Sequence, residues 1–194
     1  MLIPPTSPFH AEDPRAVADG ALAIMAEDSA GVSLLRPDGS FTLLIPTSSP
    51  TRVTTLIGVD HEQGDAIVWV ETDRGNYAAD VIWTSPYTAD PSAIQRRAVA
   101  VVNDPTGTGM IANAGVVLRV TGPQTAVLTR LSDGMGWSIA AEPSDAFVTP
   151  LWVDDNEVWI STGVANAPNY QADEKGIMRL DRTTLGAPTV PPGL

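Results

Sequence analysis

Asn76-Tyr77-Ala78-Ala79-Asp80 returns as Asn169-Tyr170-Gln171-Ala172-Asp173, and the fold is read outward from that echo. A few residues before each copy, Val68-Trp69-Val70 is answered by Val158-Trp159-Ile160. Further back, Arg15-Ala16-Val17-Ala18 is matched by Arg97-Ala98-Val99-Ala100. Because the landmarks keep their order, the chain is an internal duplication. The spacing between copies grows from 82 residues at the front (15 to 97) to 93 at the back (76 to 169), so the copies differ by insertions in their connections.

Within each copy the apolar segments are short and separated by turn residues. Leu22-Ala23-Ile24-Met25-Ala26, Val32-Ser33-Leu34-Leu35-Arg36 and Phe41-Thr42-Leu43-Leu44-Ile45 read as three antiparallel strands. The last two are joined by Pro37-Asp38-Gly39, since Asp-Gly readily takes the positive φ of a tight hairpin. The same plan recurs with Met110-Ile111-Ala112, the turn Asn113-Ala114-Gly115, Val116 to Val120, and Ala126-Val127-Leu128. Val53 to Ile57, Ile67 to Val70 and Asp80 to Trp83 form a longer meander, matched by Val148 to Trp152, Val158 to Ile160 and Gly176 to Leu180. Four meanders of alternating type therefore tile the chain, each about 40 to 50 residues long.

Composition agrees with an all-β body. The 194 residues include 17 Pro and 16 Gly, 43% are hydrophobic and only 18% are charged, which favours many turns between short buried strands. No stretch reaches the roughly 20 apolar residues of a membrane helix, so a soluble chain without a membrane partner is expected. A net charge of −12 with only 11 basic residues argues against nucleic acid, whose binders gain affinity by placing Lys and Arg on phosphates. With no Cys there is neither disulfide nor thiol chemistry, and the N-terminus lacks a basic and apolar leader pattern. Both points favour the cytoplasm, while a periplasmic or secreted setting stays open if the sequence is a piece of a longer chain.

The strand pairs Leu22 to Ala26 with Leu34-Leu35-Arg36-Pro37-Asp38-Gly39, and Val153-Asp154 with Val158-Trp159-Ile160, resemble blades of bacterial β-propellers of the TolB-like and WD40-like kind. The resemblance covers residues 15–186 and concerns the fold alone. It implies a propeller-like domain with blades at about 15–48, 51–96, 97–131 and 146–186, flanked by proline-rich extended tails at 1–14 and 187–194. Four blades leave three arrangements open: a small closed ring, two chains sharing a larger ring as a homodimer, or part of a longer chain. A β-sandwich made of the same strands is the remaining architecture.

The paired loops are the first candidate ligand-binding site. Tyr77 and Tyr170 offer amphipathic surface, and Asn76, Asn169, Asp80 and Asp173 offer hydrogen bonds, which suits a protein, peptide or glycan partner. The competing reading gives the same residues to turn formation and packing.

Two acidic hairpins, Asp60-Glu62-Asp65 and Asp154-Asp155-Glu157, do not follow a calcium-loop spacing and read as solvated turns, so no cofactor is expected, with calcium the one ion to test. An alternative is a propeller enzyme with Asp60, Asp80, Asp154 and Asp173 around an axial metal. His10 and His61, the only histidines, sit in a proline-rich tail and an acidic turn and are not placed for acid-base work. Asp104-Pro105-Thr106-Gly107-Thr108-Gly109 reads as a glycine-rich connection, and Gly136-Trp137-Ser138-Ile139-Ala140 lacks the second glycine of a hydrolase elbow. Trp69, Trp83, Trp152 and Trp159 are expected in the core, and Trp137 at the surface.

Overall fold

The computed structural model describes residues 15–25, 30–62, 64–73, 80–102, 109–164 and 176–189. The chain is all-β, with four antiparallel meander sheets of blade-like form. It divides into two compact units, Met1–Asn103 and Asp104–Leu194, each holding two sheets.

In the first unit, β1 (Arg15–Ala16), β2 (Leu22–Met25), β3 (Gly31–Leu35) and β4 (Phe41–Pro46) form the first sheet in chain order. The Pro37-Asp38-Gly39 turn forms as its residues require. Gly39 takes φ 84, its N–H donates to the Arg36 carbonyl at 2.9 Å, and Asp38 Oδ1 accepts the Ser40 N–H at 2.9 Å. Gly31 opens β3 at φ 151, where a Cβ would stand 2.1 Å from the Ile45 carbonyl oxygen, so only glycine lets β3 and β4 approach there. The second sheet contains β5 (Arg52–Asp60), β6 (Ala66–Asp73), β7 (Asp80–Pro86) and β8 (Arg97–Val102), again in chain order. Val32, Leu34, Leu44, Leu56, Ile67 and Trp69 are among the residues of the core between these sheets.

Glu71, fully buried near the end of β6, fastens this unit. Its carboxylate accepts the Ser48 N–H at 3.2 Å, the Ser48 hydroxyl and Arg96 Nη1 at 3.1 Å, with Arg52 Nη1 at 3.9 Å. Arg96 also donates to the Pro46 carbonyl, so the carboxylate ties the crossing between the two sheets to the residue before β8.

In the second unit, β9 (Met110–Asn113), β10 (Val116–Gly122), β11 (Thr125–Arg130) and β12 (Gly136–Ala140) make the third sheet. The Asn113-Ala114-Gly115 turn is a two-residue hairpin with φ 50 at Ala114 and φ 72 at Gly115, the primed geometry that matches strand twist. β12 is additional to the strands expected from the sequence. It packs tightly because Gly136 has no Cβ; one would lie 2.0 Å from the Leu128 carbonyl oxygen. Among the described residues the fourth sheet has three strands, β13 (Asp145–Val153), β14 (Glu157–Val164) and β15 (Gly176–Asp181). Leu118, Leu128, Ile139, Phe147, Val158 and Ile160 are in the core of this unit.

The tryptophans depart from expectation. Trp69 is fully buried and stacks on half-buried Trp83, with ring centroids 6.5 Å apart and planes 14° from parallel. Trp159, its counterpart in sequence, is half-exposed, and Trp152 is 49% exposed. Val-Trp-Ile is apolar at every position, so the motif does not fix which side meets the core, and a shift of one residue exchanges the faces. Val158 and Ile160 fill the core of the second unit and send Trp159 outward. Trp137, expected at the surface, is half-buried against that core, and its indole donates to the Gly186 carbonyl at 2.7 Å.

Candidate functional site

Of the six loop candidates, Asp80 alone falls within the described residues. It begins β7 opposite Val102 and is 7% exposed, a position for anchoring the strand. Asn76, Tyr77, Asn169, Tyr170 and Asp173 lie outside the described residues. In sequence they belong to the connections between β6 and β7 and between β14 and β15.

The carboxylates of the acidic turns bind groups of the fold itself. Asp65 accepts the Ala18 N–H and pairs with His61 Nδ1 at 2.6 Å, while its backbone carbonyl accepts the Tyr87 N–H at 2.7 Å. Asp60 Oδ1 accepts the Glu62 N–H at 3.3 Å. Asp154 Oδ1 accepts the N–H groups of Asn156 and Glu157, both at 2.8 Å, an Asx turn closing the β13–β14 hairpin. Among the described residues, no three His, Asp or Glu side chains gather as a metal site would require.

A different constellation emerges on the outer face of the fourth sheet. Trp152 of β13, Trp159 of β14 and Arg179 of β15 occupy one row across the three strands, because Trp152 pairs with Trp159 and Trp159 with Arg179. Directly opposed residues of an antiparallel ladder share a face. The row is therefore a continuous strip of two indoles and a guanidinium. The Arg179 guanidinium lies over the Trp159 ring, 4.7 Å from its centroid, a cation–π contact.

The hairpin carboxylates orient this strip. Trp152 Nε1 donates to Asp154 Oδ2 at 3.1 Å, and Trp159 Nε1 donates to Glu157 Oε2 at 2.8 Å. Arg179 Nη2 reaches both Glu157 oxygens at 2.7 and 2.9 Å. The Trp152 indole and the backbone N–H groups of Asn156 and Glu157 hold the Asp154 carboxyl below the usual carboxylate range. Arg179, and next Trp159, do the same for Glu157. Both groups are thus charged acceptors that fix ring orientation at neutral pH. Exposed Leu151 and Ile177 on the same sheet add apolar surface.

The sequence carried a signal for this strip: Trp152-Val153-Asp154-Asp155-Asn156-Glu157-Val158-Trp159 is a hairpin with a tryptophan on each arm. Reading the tryptophans as core hid it. Compared with protein-family models, with curated proteins and with solved structures, the chain gives no match in any of the three.

Proposed function

We propose that the protein is a non-catalytic binding module on a scaffold of the β-propeller kind, and that the Trp152–Trp159–Arg179 strip receives a protein or peptide partner. The scaffold part rests on the twofold sequence repeat and the four successive meanders. One observation carries the binding part: a tryptophan 49% exposed is held in place by a carboxylate next to an Arg-covered second tryptophan. Trp and Arg are the residue types that most often dominate protein interfaces, where rigid aromatic anchors lose little entropy on binding.

A peptide suits this strip better than a sugar. The guanidinium occupies one face of Trp159, leaving Trp152 as the open ring, and a hydrogen-bonded Arg beside an apolar anchor fits peptide recognition. The charge of −12 and the neighbouring Asp154, Asp155 and Glu157 favour a partner with basic residues around an apolar anchor. The Asp154 carboxylate already receives indole and main-chain donors, and the Glu157 carboxylate an indole and the Arg179 guanidinium, a positioning role. Asn169, Tyr170 and Asp173 on the β14–β15 connection, with Asn76, Tyr77 and Asp80 as their counterparts, form the second set to mutate.

Panning a displayed random peptide library against the full chain tests the reading. Enriched peptides should combine basic and apolar residues and lose about tenfold or more in affinity on Trp152→Ala, near 1.4 kcal/mol. Peptides indifferent to Trp152→Ala but lost in Tyr77→Ala plus Tyr170→Ala would move the site to the loops. Failure to enrich, with binding to an oligosaccharide panel instead, would replace the peptide reading with a glycan one.

A further inference from the structure

The β13–β14 hairpin is nearly a mirror of itself in sequence, with Trp152-Val153-Asp154 on the incoming arm and Glu157-Val158-Trp159 on the outgoing one. On each arm the indole N–H donates to the carboxylate two residues nearer the turn. Trp152 donates to Asp154 Oδ2 at 3.1 Å, and Trp159 to Glu157 Oε2 at 2.8 Å. On the outgoing arm a third group completes the set. The Arg179 guanidinium lies over the Trp159 ring and donates to both Glu157 oxygens, including the one that accepts the indole.

The incoming arm has the ring and the carboxylate without the cation. Trp152 is 49% exposed, whereas Trp159 is half-buried beneath its guanidinium. A carboxylate offers about four acceptor positions. Asp154 uses two on Oδ1, for the N–H groups of Asn156 and Glu157, and one on Oδ2, for the Trp152 indole. Among the described residues the second position on Oδ2 takes no hydrogen bond, while the equivalent position on Glu157 Oε2 holds Arg179 Nη2. Arg182 Nη1 donates to the main-chain carbonyls of Asp154 and Ala114 and acts on the Asp154 carboxylate only as a nearby charge.

Strand geometry widens this arm. Pairing steps from Pro150 with Ile160 to Trp152 with Trp159, so Leu151 and Trp152 together stand against Trp159, a β-bulge of the kind that re-aims side chains beside functional sites. Leu151 is exposed and places apolar surface next to the open ring, suited to the methylene stem of a long basic side chain.

We propose that Trp152 and Asp154 form a seat for an arginine side chain of the partner, stacked on the Trp152 ring and hydrogen-bonded to Asp154 Oδ2 as Arg179 is to Trp159 and Glu157. The inference rests on the peptide-binding reading and sharpens it, since the basic residue beside the apolar anchor becomes arginine. A planar guanidinium lies flat on a single ring while its edge N–H groups reach a carboxylate, whereas the lysine ammonium is a compact point charge that cannot do both equally well. A methylated ammonium is held by a cage of several aromatic rings, and this seat has one.

Nuclear magnetic resonance of the isotope-labelled full chain tests the seat through its indole N–H signals, assigned with single tryptophan-to-phenylalanine variants. The probe is the peptide acetyl-Gly-Leu-Xaa-Leu-Gly-amide, with arginine, lysine or citrulline at Xaa. The arginine peptide should move the Trp152 signal saturably, with a dissociation constant of about 1 mM. Lysine should bind about threefold more weakly, and citrulline, equally planar but uncharged, about tenfold. Asp154→Asn keeps an Oδ1 for the turn N–H groups and should weaken the arginine peptide about tenfold. Arg179→Ala uncovers the outgoing arm, so the same peptide should then move the Trp159 signal as well. A Trp152 signal indifferent to the arginine peptide up to about 20 mM, or one that responds alike to all three peptides, would overturn the proposal. So would an Arg179→Ala chain whose Trp159 signal stays in place, because the two arms would then not be alike. Library peptides that need Trp152 yet lack arginine would sink the seat and leave the peptide reading standing. Library peptides that ignore Trp152, with the arginine peptide still moving its indole, would sink the peptide reading and leave the seat.

Discussion

Trp69 and Trp159, the centres of two nearly identical tripeptides, stand on opposite sides of their sheets with respect to the core of their own unit. Trp69 is fully buried in the first core and stacked on Trp83; Trp159 turns its ring outward beneath Arg179 while Val158 and Ile160 fill the second core. Duplicated sequence has thus produced one packing residue and one surface residue.

The two should respond differently to truncation. Trp69→Ala opens a cavity among Leu56, Ile67 and Leu34 and should cost about 3–5 kcal/mol of unfolding free energy. Trp159→Ala forfeits a cation–π contact and a part-buried hydrogen bond to Glu157 but opens no core cavity, and should cost about 1 kcal/mol. Urea unfolding followed by far-ultraviolet circular dichroism compares them. Equal costs would mean that Trp159 is packed as deeply as its counterpart.

The reason one tryptophan was legible and the other was not is physical. Turns were readable because their chemistry is local: Gly39 and Gly115 supply the positive φ that each turn requires, whatever surrounds them. Facing was unreadable in Val158-Trp159-Ile160 because an uninterrupted apolar run has no polar side to declare itself. β12 escaped because Gly136-Trp137-Ser138-Ile139-Ala140 offers only two large apolar side chains and depends on contact with β11. Arg15-Ala16 and Arg97-Ala98 share their residues yet join their sheets differently, since pairing partners are set by tertiary context. For the candidate site, the acidic hairpin was visible in the sequence, but its work as an acceptor for two indoles became evident only with the strands in register.

Acid should loosen the aromatic strip. Asp154 and Glu157 have folded-state pKa values below their ordinary ones, so their contribution is fully present above the unfolded value near 4 and disappears as pH falls through the lower folded value. Protonation removes the charged acceptors of both indole N–H groups. Tryptophan emission should shift as pH falls below about 4, and Asp154→Asn should reduce the amplitude. An emission spectrum unchanged to pH 2 would contradict the coupling of these carboxylates to the rings.

Removing the Glu71 carboxylate should be expensive. It is wholly buried, whereas the Arg96 side chain it accepts from is 25% exposed, so Glu71→Ala leaves a guanidinium that water only partly compensates. The cost should be about 2–4 kcal/mol, under the full penalty of a completely buried pair. Glu71→Gln keeps an acceptor for Ser48 and should recover part of the loss. Chemical denaturation of the three proteins would settle the order, and wild-type stability in Glu71→Ala would show that the ion pair does not hold the first unit.

The β9–β10 turn offers a change in the opposite direction. Ala114 adopts φ 50 in a two-residue hairpin where both central positions require left-handed backbone. Its Cβ makes that conformation unfavourable by about 1 kcal/mol relative to a residue that tolerates it. Asparagine does so and is preferred before glycine in this turn type, which Ala114→Asn would create with Gly115. The Arg182 guanidinium lies 3.4 Å from the main-chain carbonyl of residue 114, so the substitution leaves that hydrogen bond in place. Unfolding free energy should rise by roughly 0.5–1 kcal/mol, seen as a higher urea midpoint at unchanged slope. A lower midpoint would show that the turn is not the primed hairpin described, because in any other turn the asparagine would bring no relief of strain.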